Sequence, residues 1–290
     1  MNTHDSVSYY HVCTDGNALQ WMFKDDEDFI AGTNRIAICI LNTFVEVIAY
    51  VLMDNHVHFV LYGNIVQCKD FITKYKLLTG KWISKKYGLS AHIKHLPTQL
   101  ILISGEEQLL DTIAYIDRNP ISAGYRYLPN EYPWGTARCI FRNKINHNGA
   151  TERIDSFNKH ERQQILKTWS DIPGHWRIDS NGMILQEDYI DIPKLEKIFK
   201  SPVRYLYHLS KKLEGKVEME QGTLSFINDK ELRLITLKIS EELFGKKNPE
   251  NLDFKSKLII ARRLRYDFAS TPKQISRMLN IKTDILTKFI

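Results

Sequence analysis

Between positions 44 and 63 the chain reads FVEVIAYVLM, then Asp54-Asn55, then HVHFVLYG. Two apolar runs rich in β-branched and aromatic residues, only two residues apart, predict a hairpin. So short a connection leaves room only for neighbouring antiparallel strands, because a parallel pair needs a crossover of a dozen residues or so. The flanking segments then constrain the rest. VSYYHVCT (7–14), ending at the turn signal DGN, predicts an earlier strand. DDEDFIAGTNRIAICILN predicts a helix whose acidic first turn suits the helix dipole. Beyond the hairpin, residues 65–87 have helical spacing with a basic outer face, TQLILIS (98–104) predicts a fourth strand, and EEQLLDTIAYIDRN (106–119) predicts a helix that stops at Pro120. The order β-α-β-β-α-β-α predicts an α+β protein. Its first six elements match a ferredoxin-like antiparallel sheet with helices on one face, and a mostly helical C-terminal region follows.

The texture changes after LPNEYPWG (128–135), so three segments are expected: 1–139, built on the sheet; 140–228, an irregular and partly helical linking region; and 229–290, a basic helical domain. Charge separates the last of these from the others. The chain carries 40 Lys/Arg against 34 Asp/Glu, and residues 251–290 alone hold nine basic and three acidic residues, which is the whole surplus. A basic surplus confined to one small segment points to an anionic partner, with nucleic acid first. Within it, Ser270-Thr271-Pro272 combines an N-cap with a proline at the first helical position. KQISRMLN and KTDILTKFI then follow as two short helices, the layout of a helix-turn-helix.

Other classes fit less well. The N-terminal MNTHDSVSYYHV lacks the basic start and apolar stretch of a signal peptide. No run approaches the roughly 18 apolar residues of a membrane span, so no membrane partner is expected. Cys13, Cys39, Cys68 and Cys139 are scattered without a CxxC pair, which suits a reducing cytoplasm better than a disulfide framework.

Two constellations carry chemistry. Alternation along a strand puts His56, His58, Val60 and Tyr62 on one face, and Val57, Phe59 and Leu61 on the other. Paired imidazoles near a sheet end can offer two nitrogens to one divalent metal, or can simply be hydrogen-bonded, partly exposed histidines. In YIDRNPISAG, Tyr115 and Asn119 are four residues apart and share a helical face. Asn119 can offer a carbonyl oxygen to a metal, and Tyr115 a phenol oxygen as a nucleophile; a packed tyrosine and an Asn-Pro helix end are the plainer alternatives.

YYHV, DDEDF, MDNHVHFVL, YIDRNPISAG and EYPWG, in that order over residues 9–135, resemble the single-tyrosine HUH transposases, above all the REP-associated tyrosine transposases of bacteria. The resemblance implies a ferredoxin-like fold and metal-dependent nicking and rejoining of single-stranded or hairpin DNA. It also implies His56, His58 and Asn119 as ligands of Mg2+ or Mn2+, and Tyr115 as a nucleophile forming a 5′-phosphotyrosine. Such enzymes act as monomers or as homodimers. Arg262, Arg263, Arg265, Lys273 and Arg277 would add duplex or hairpin contacts, mostly to phosphates. The chain departs from the family pattern in lacking the proline before Asn55, in Asp15-Gly16 where arginine-glycine is usual, and in Asp117 and Ser122 where histidine and arginine are usual. Two other readings of the same residues are a domesticated, non-catalytic DNA-binding regulator and a metal-dependent hydrolase of small phosphoesters.

Overall fold

The computed structural model describes residues 6–16, 21–88, 92–143, 145, 147, 149–211, 229–268 and 270–290. Asn17 of the expected DGN turn, residues 144, 146 and 148 of the NKINHNGA stretch, and 212–228 of the expected linking region lie outside them. The chain divides into two compact units, 1–117 with 129–209, and 118–128 with 210–290.

The first unit is α+β. Strand β1 (Ser8–Thr14) and helix α1 (Asp26–Thr43) precede the hairpin β2 (Glu46–Leu52) and β3 (Val57–Gly63). Helix α2 (Ile65–Tyr87), strand β4 (Thr98–Ile103) and helix α3 (Glu106–Ser122) follow. The four strands form one antiparallel sheet in the order β2-β3-β1-β4. That order is compatible with the arrangement expected from the sequence.

Local chemistry accounts for the element ends. Asp25 caps α1 by accepting from the Asp28 amide, and Asn64 and Gln67 form a reciprocal capping box at the start of α2. Lys86, in the last turn of α2, bonds the carboxylates of Asp25 and Asp28 at the start of α1. The two helices therefore run antiparallel, side by side. Phe59 of β3 meets Phe71 and Tyr75 of α2 edge-on, which shows which sheet face these helices cover. It is the face of Val12, Val57, Phe59 and Leu61, each fully buried.

The EYPWG stretch covers the end of the β2 edge of the sheet. Trp134 accepts through its carbonyl from the Leu52 amide at 2.9 Å, and the Tyr132 hydroxyl donates to the Leu52 carbonyl at 2.7 Å. Gly135 bridges to Val51, and a Cβ there would come within 3.2 Å of the Tyr50 carbonyl. These contacts pair the backbone at that end of the edge strand.

Residues 140–209 group with the sheet in one compact unit, and residues 210–290 group with 118–128 in the other. Short elements run through them: β5 (Glu152–Arg153), α4 (Lys159–Leu166), β6 (Arg177–Ile178), α5 (Ile192–Phe199) and α6 (Pro202–Ser210). Ile154, Leu166, Trp176, Ile178 and Ile184 form one core with Ala37 and Ile38 of α1. The buried Asn34 fastens that layer by donating to the Gly182 carbonyl and accepting from the Ile184 amide, both at 2.8 Å.

Helix α3 does not stop at Pro120 but runs to Ser122. The proline removes one amide donor near the helix end, where only the final turn is left to lose it. That turn is closed by the Ala123 amide on the Asn119 carbonyl and the Tyr125 amide on the Pro120 carbonyl, each at 2.9 Å, with Gly124 at φ +83°.

In the second unit, α7 (Asp229–Phe244), α8 (Phe254–Asp267), α9 (Pro272–Leu279) and α10 (Thr283–Leu286) share a core of Leu232, Ile260, Leu264, Ile275 and Leu279. Thr271 caps α9 with Pro272 next to it, as expected from the sequence. Asn280 ends α9 in the left-handed region at φ 52°. Helix α10 is only four residues long, shorter than KTDILTKFI predicts. Among the described residues no helix is long and apolar enough to cross a membrane.

Candidate active site

The sheet face turned away from α1 and α2 carries the chemistry. Register pairs Cys13 with His58, His11 with Val60 and Tyr9 with Tyr62, so Tyr9, His11 and Cys13 share that face with His58. The Nε2 of His11 and the Nδ1 of His58 are 3.1 Å apart with the rings stacked. One ligand atom each of His11, Cys13 and His58 lies within 4.8 Å of the other two.

Burial sets the protonation of this pair. It pushes His11 down to about 4. It also holds His58, only 5% exposed, well below the ordinary imidazole range, helped by His56 and His11 beside it. Both rings are therefore neutral at pH 7, and a neutral imidazole offers a lone pair.

His56 stands just before β3 rather than in it. Its ring is edge-on to His58, with centroids 4.9 Å apart, so the two predicted histidines do meet. Its Nδ1, however, is 2.7 Å from the Asn55 side-chain oxygen. Asn55 in turn donates to the Gly16 carbonyl at 2.6 Å, and a Cβ on Gly16 would come within 3.0 Å of His56 Nδ1. The glycine after β1 thus makes room for the His56 ring.

Helix α3 brings Tyr115 onto the same sheet face. The phenol ring is edge-on to both His58 and His11, at 5.5 and 6.0 Å between centroids, and Tyr115 remains 40% exposed. Asn119 follows one turn later on α3, in the stretch that belongs to the second unit. The described geometry therefore joins His56, His58 and Tyr115, and adds His11 and Cys13.

The first part of α3 is held by α5 and α6. Glu106 pairs with Lys200 and Arg204 at 2.8 and 2.7 Å. The buried His208 bonds Asp111 at 3.0 Å, and the Tyr205 hydroxyl donates to Asp117 at 2.9 Å. Asp117 is 4% exposed, so it lies in this packing and not on a nucleic-acid surface. Glu107, Asp111 and His208 form a second set of potential metal ligands.

The basic residues of the second unit divide by partner. Arg277 is ion-paired with Asp229 at 2.6 Å. Arg265 donates to the Ser270 carbonyl at 3.1 Å, and Arg263 pairs with Asp267 one turn along at 3.3 Å. Arg262 makes a long 3.4 Å bond to the Phe289 carbonyl. Arg262, Arg263 and Lys273 are exposed.

His11 and Cys13 were legible only through register. Period-2 alternation along YYHVC sets them on one face, but only the pairing of β1 with β3 brings them to His58. Comparison with family models, with curated proteins and with solved structures finds no significant match.

Proposed function

We propose that this chain is a metal-dependent, single-stranded DNA nicking and strand-transfer enzyme of the single-tyrosine HUH type, with Tyr115 as nucleophile, built on a ferredoxin-like sheet. The observation that carries the reading is the placement of the Tyr115 phenol edge-on against His58 and His11. An exposed tyrosine on a braced helix, set over neutral imidazoles on a rigid sheet, is what attack on a phosphodiester needs. The five ordered motifs over residues 9–135 support the same reading.

In this account the Tyr115 phenol oxygen attacks the scissile phosphorus. A bond forms between that oxygen and phosphorus, the bond to the 3′ oxygen breaks, and the phenolic proton ends on the released 3′-hydroxyl. Attack by a second 3′-hydroxyl on the phosphotyrosine reverses the step and joins strands. The salt bridges of Glu106 and the bonds to Asp111 and Asp117 keep α3, and so the nucleophile, in place. A divalent ion, when bound, supplies polarisation of the phosphate. His56 and His58 would hold it. Nitrogen donors suit a transition ion better than magnesium, which takes oxygen. The exposed Arg262, Arg263 and Lys273 would bind DNA phosphates, and the site is expected to work in the cytoplasm, where its cysteines stay reduced.

The test is a covalent adduct. Labelled single-stranded oligonucleotides from DNA flanking the gene, incubated with protein and Mn2+, are run on a denaturing gel. A protein-sized labelled band that chelator abolishes and Tyr115→Phe lacks is the expected result. DNA binding without any band would instead favour the non-catalytic regulator.

A further inference from the structure

The face of β1 and β3 offers donors of a kind that a magnesium site does not use. His11 and Cys13 alternate on one strand, and His58 lies opposite Cys13 on the next. Their ligand atoms cluster within 4.8 Å. We propose that His11, Cys13 and His58 form a site for a zinc-class cation, bound by two imidazole nitrogens and one cysteine thiolate.

Three features of the geometry point there. First, the two facing nitrogens are 3.1 Å apart. Two nitrogens on a tetrahedral zinc, each about 2.0–2.1 Å from the metal, are about 3.3–3.4 Å apart, so the rings need to part only slightly. Second, the sulfur of a zinc-bound thiolate stands about 3.6 Å from a neighbouring ligand nitrogen, a spacing reached by a small shift within the 4.8 Å cluster. Third, the donors come from adjacent, hydrogen-bonded strands of one sheet, so their spacing is set by the ladder and not by a loop.

The chemistry selects the ion. Thiolate and imidazole favour zinc and its neighbours over magnesium or calcium. Binding exchanges the Cys13 S–H proton for the metal, with the proton released to solvent. The histidine that carries its proton on the facing nitrogen must shift it to its other nitrogen. Three protein ligands leave a fourth position for solvent or an anionic oxygen, as in zinc sites that act on substrates. The Tyr115 ring lies edge-on against both imidazoles. Cys39, Cys68 and Cys139 are buried elsewhere, so Cys13 is the half-buried thiol among the four.

This inference goes beyond the nicking reading and shares only His58 with it. The measurement is a titration of the full chain with Co2+ as a spectroscopic substitute for Zn2+, with no DNA present. The expected result is a thiolate-to-cobalt charge-transfer band in the near ultraviolet that saturates at one equivalent and is displaced by Zn2+. Cys13→Ser should remove the band, His11→Ala should weaken binding at least about 100-fold, and His56→Ala should leave the band in place. A second readout needs no variant: Zn2+ should protect Cys13 from alkylation in the wild-type chain, read by peptide mass spectrometry. A band that survives Cys13→Ser, or no band together with no protection, overturns the proposal. Neither result bears on the Tyr115 adduct, and a missing adduct does not bear on the cobalt band.

Discussion

The Nε2 of His11 and the Nδ1 of His58 face each other at 3.1 Å across neighbouring strands, below the ring of Tyr115. Two imidazoles at that distance can share one proton or one metal, but two positive charges there would repel. Their burial and their proximity act in the same direction, towards neutrality.

His11 titrates near 4 in the folded chain and near 6.5 when unfolded, so between those values the unfolded chain holds more protons. Stability from this group is complete above about pH 6.5 and is lost as pH falls towards 4, by roughly 3 kcal/mol at most. Urea melts from pH 7.5 to 4 should show this decline, and His11→Gln should flatten it. An unchanged slope in the variant would contradict the assignment.

Tyr115→Phe should separate chemistry from folding. The side chain is 40% exposed and the ring contacts with His11 and His58 survive the change. Stability should move by less than about 0.5 kcal/mol, while adduct formation disappears. A thermal melt beside the gel assay checks both.

Asn34→Ala tests the layer formed by residues 150–190. It removes the donor to the Gly182 carbonyl and the acceptor for the Ile184 amide, and leaves both backbone groups unpaired in a buried place. The expected loss is about 2–4 kcal/mol by denaturant unfolding. A loss under about 1 kcal/mol would mean that the layer adds little to the first unit.

The basic residues of the second unit should behave in two ways. Arg277→Ala leaves the buried Asp229 without its ion-pair partner and should cost about 1–3 kcal/mol of stability. Arg262→Ala and Lys273→Ala should leave stability within about 0.5 kcal/mol and weaken DNA binding, each lowering the salt slope by about one. Binding isotherms at several salt concentrations decide this. An Arg277 variant that keeps full stability but loses DNA affinity would reverse the assignment.

Much of the sheet was legible because its signals are local. Alternation, the Asp54-Asn55 connection and the Asn64 and Thr271 caps act within a few residues. What was not legible depends on contacts far apart in sequence. Pro120 looked like a stop because the bonds that close α3 beyond it come from Ala123 and Tyr125. Residues 140–209 looked like a link because nothing in their composition shows that Ile154 and Trp176 pack on Ala37 and Ile38. Tyr115 and His58 were readable as candidates; His11 and Cys13 needed the register of β1 on β3, and Arg277 needed its Asp229 partner.

As the proposed nucleophile, Tyr115 becomes covalently linked to DNA. The most direct measurement is to isolate the adduct after incubation with single-stranded DNA and Mn2+, digest both components, and locate the modified residue by mass spectrometry. The expected result is a nucleotide phosphate on the peptide that contains Tyr115, on the phenol oxygen, and on no other peptide. A modification on a different residue, or cleaved DNA with no protein-bound phosphate, would contradict it.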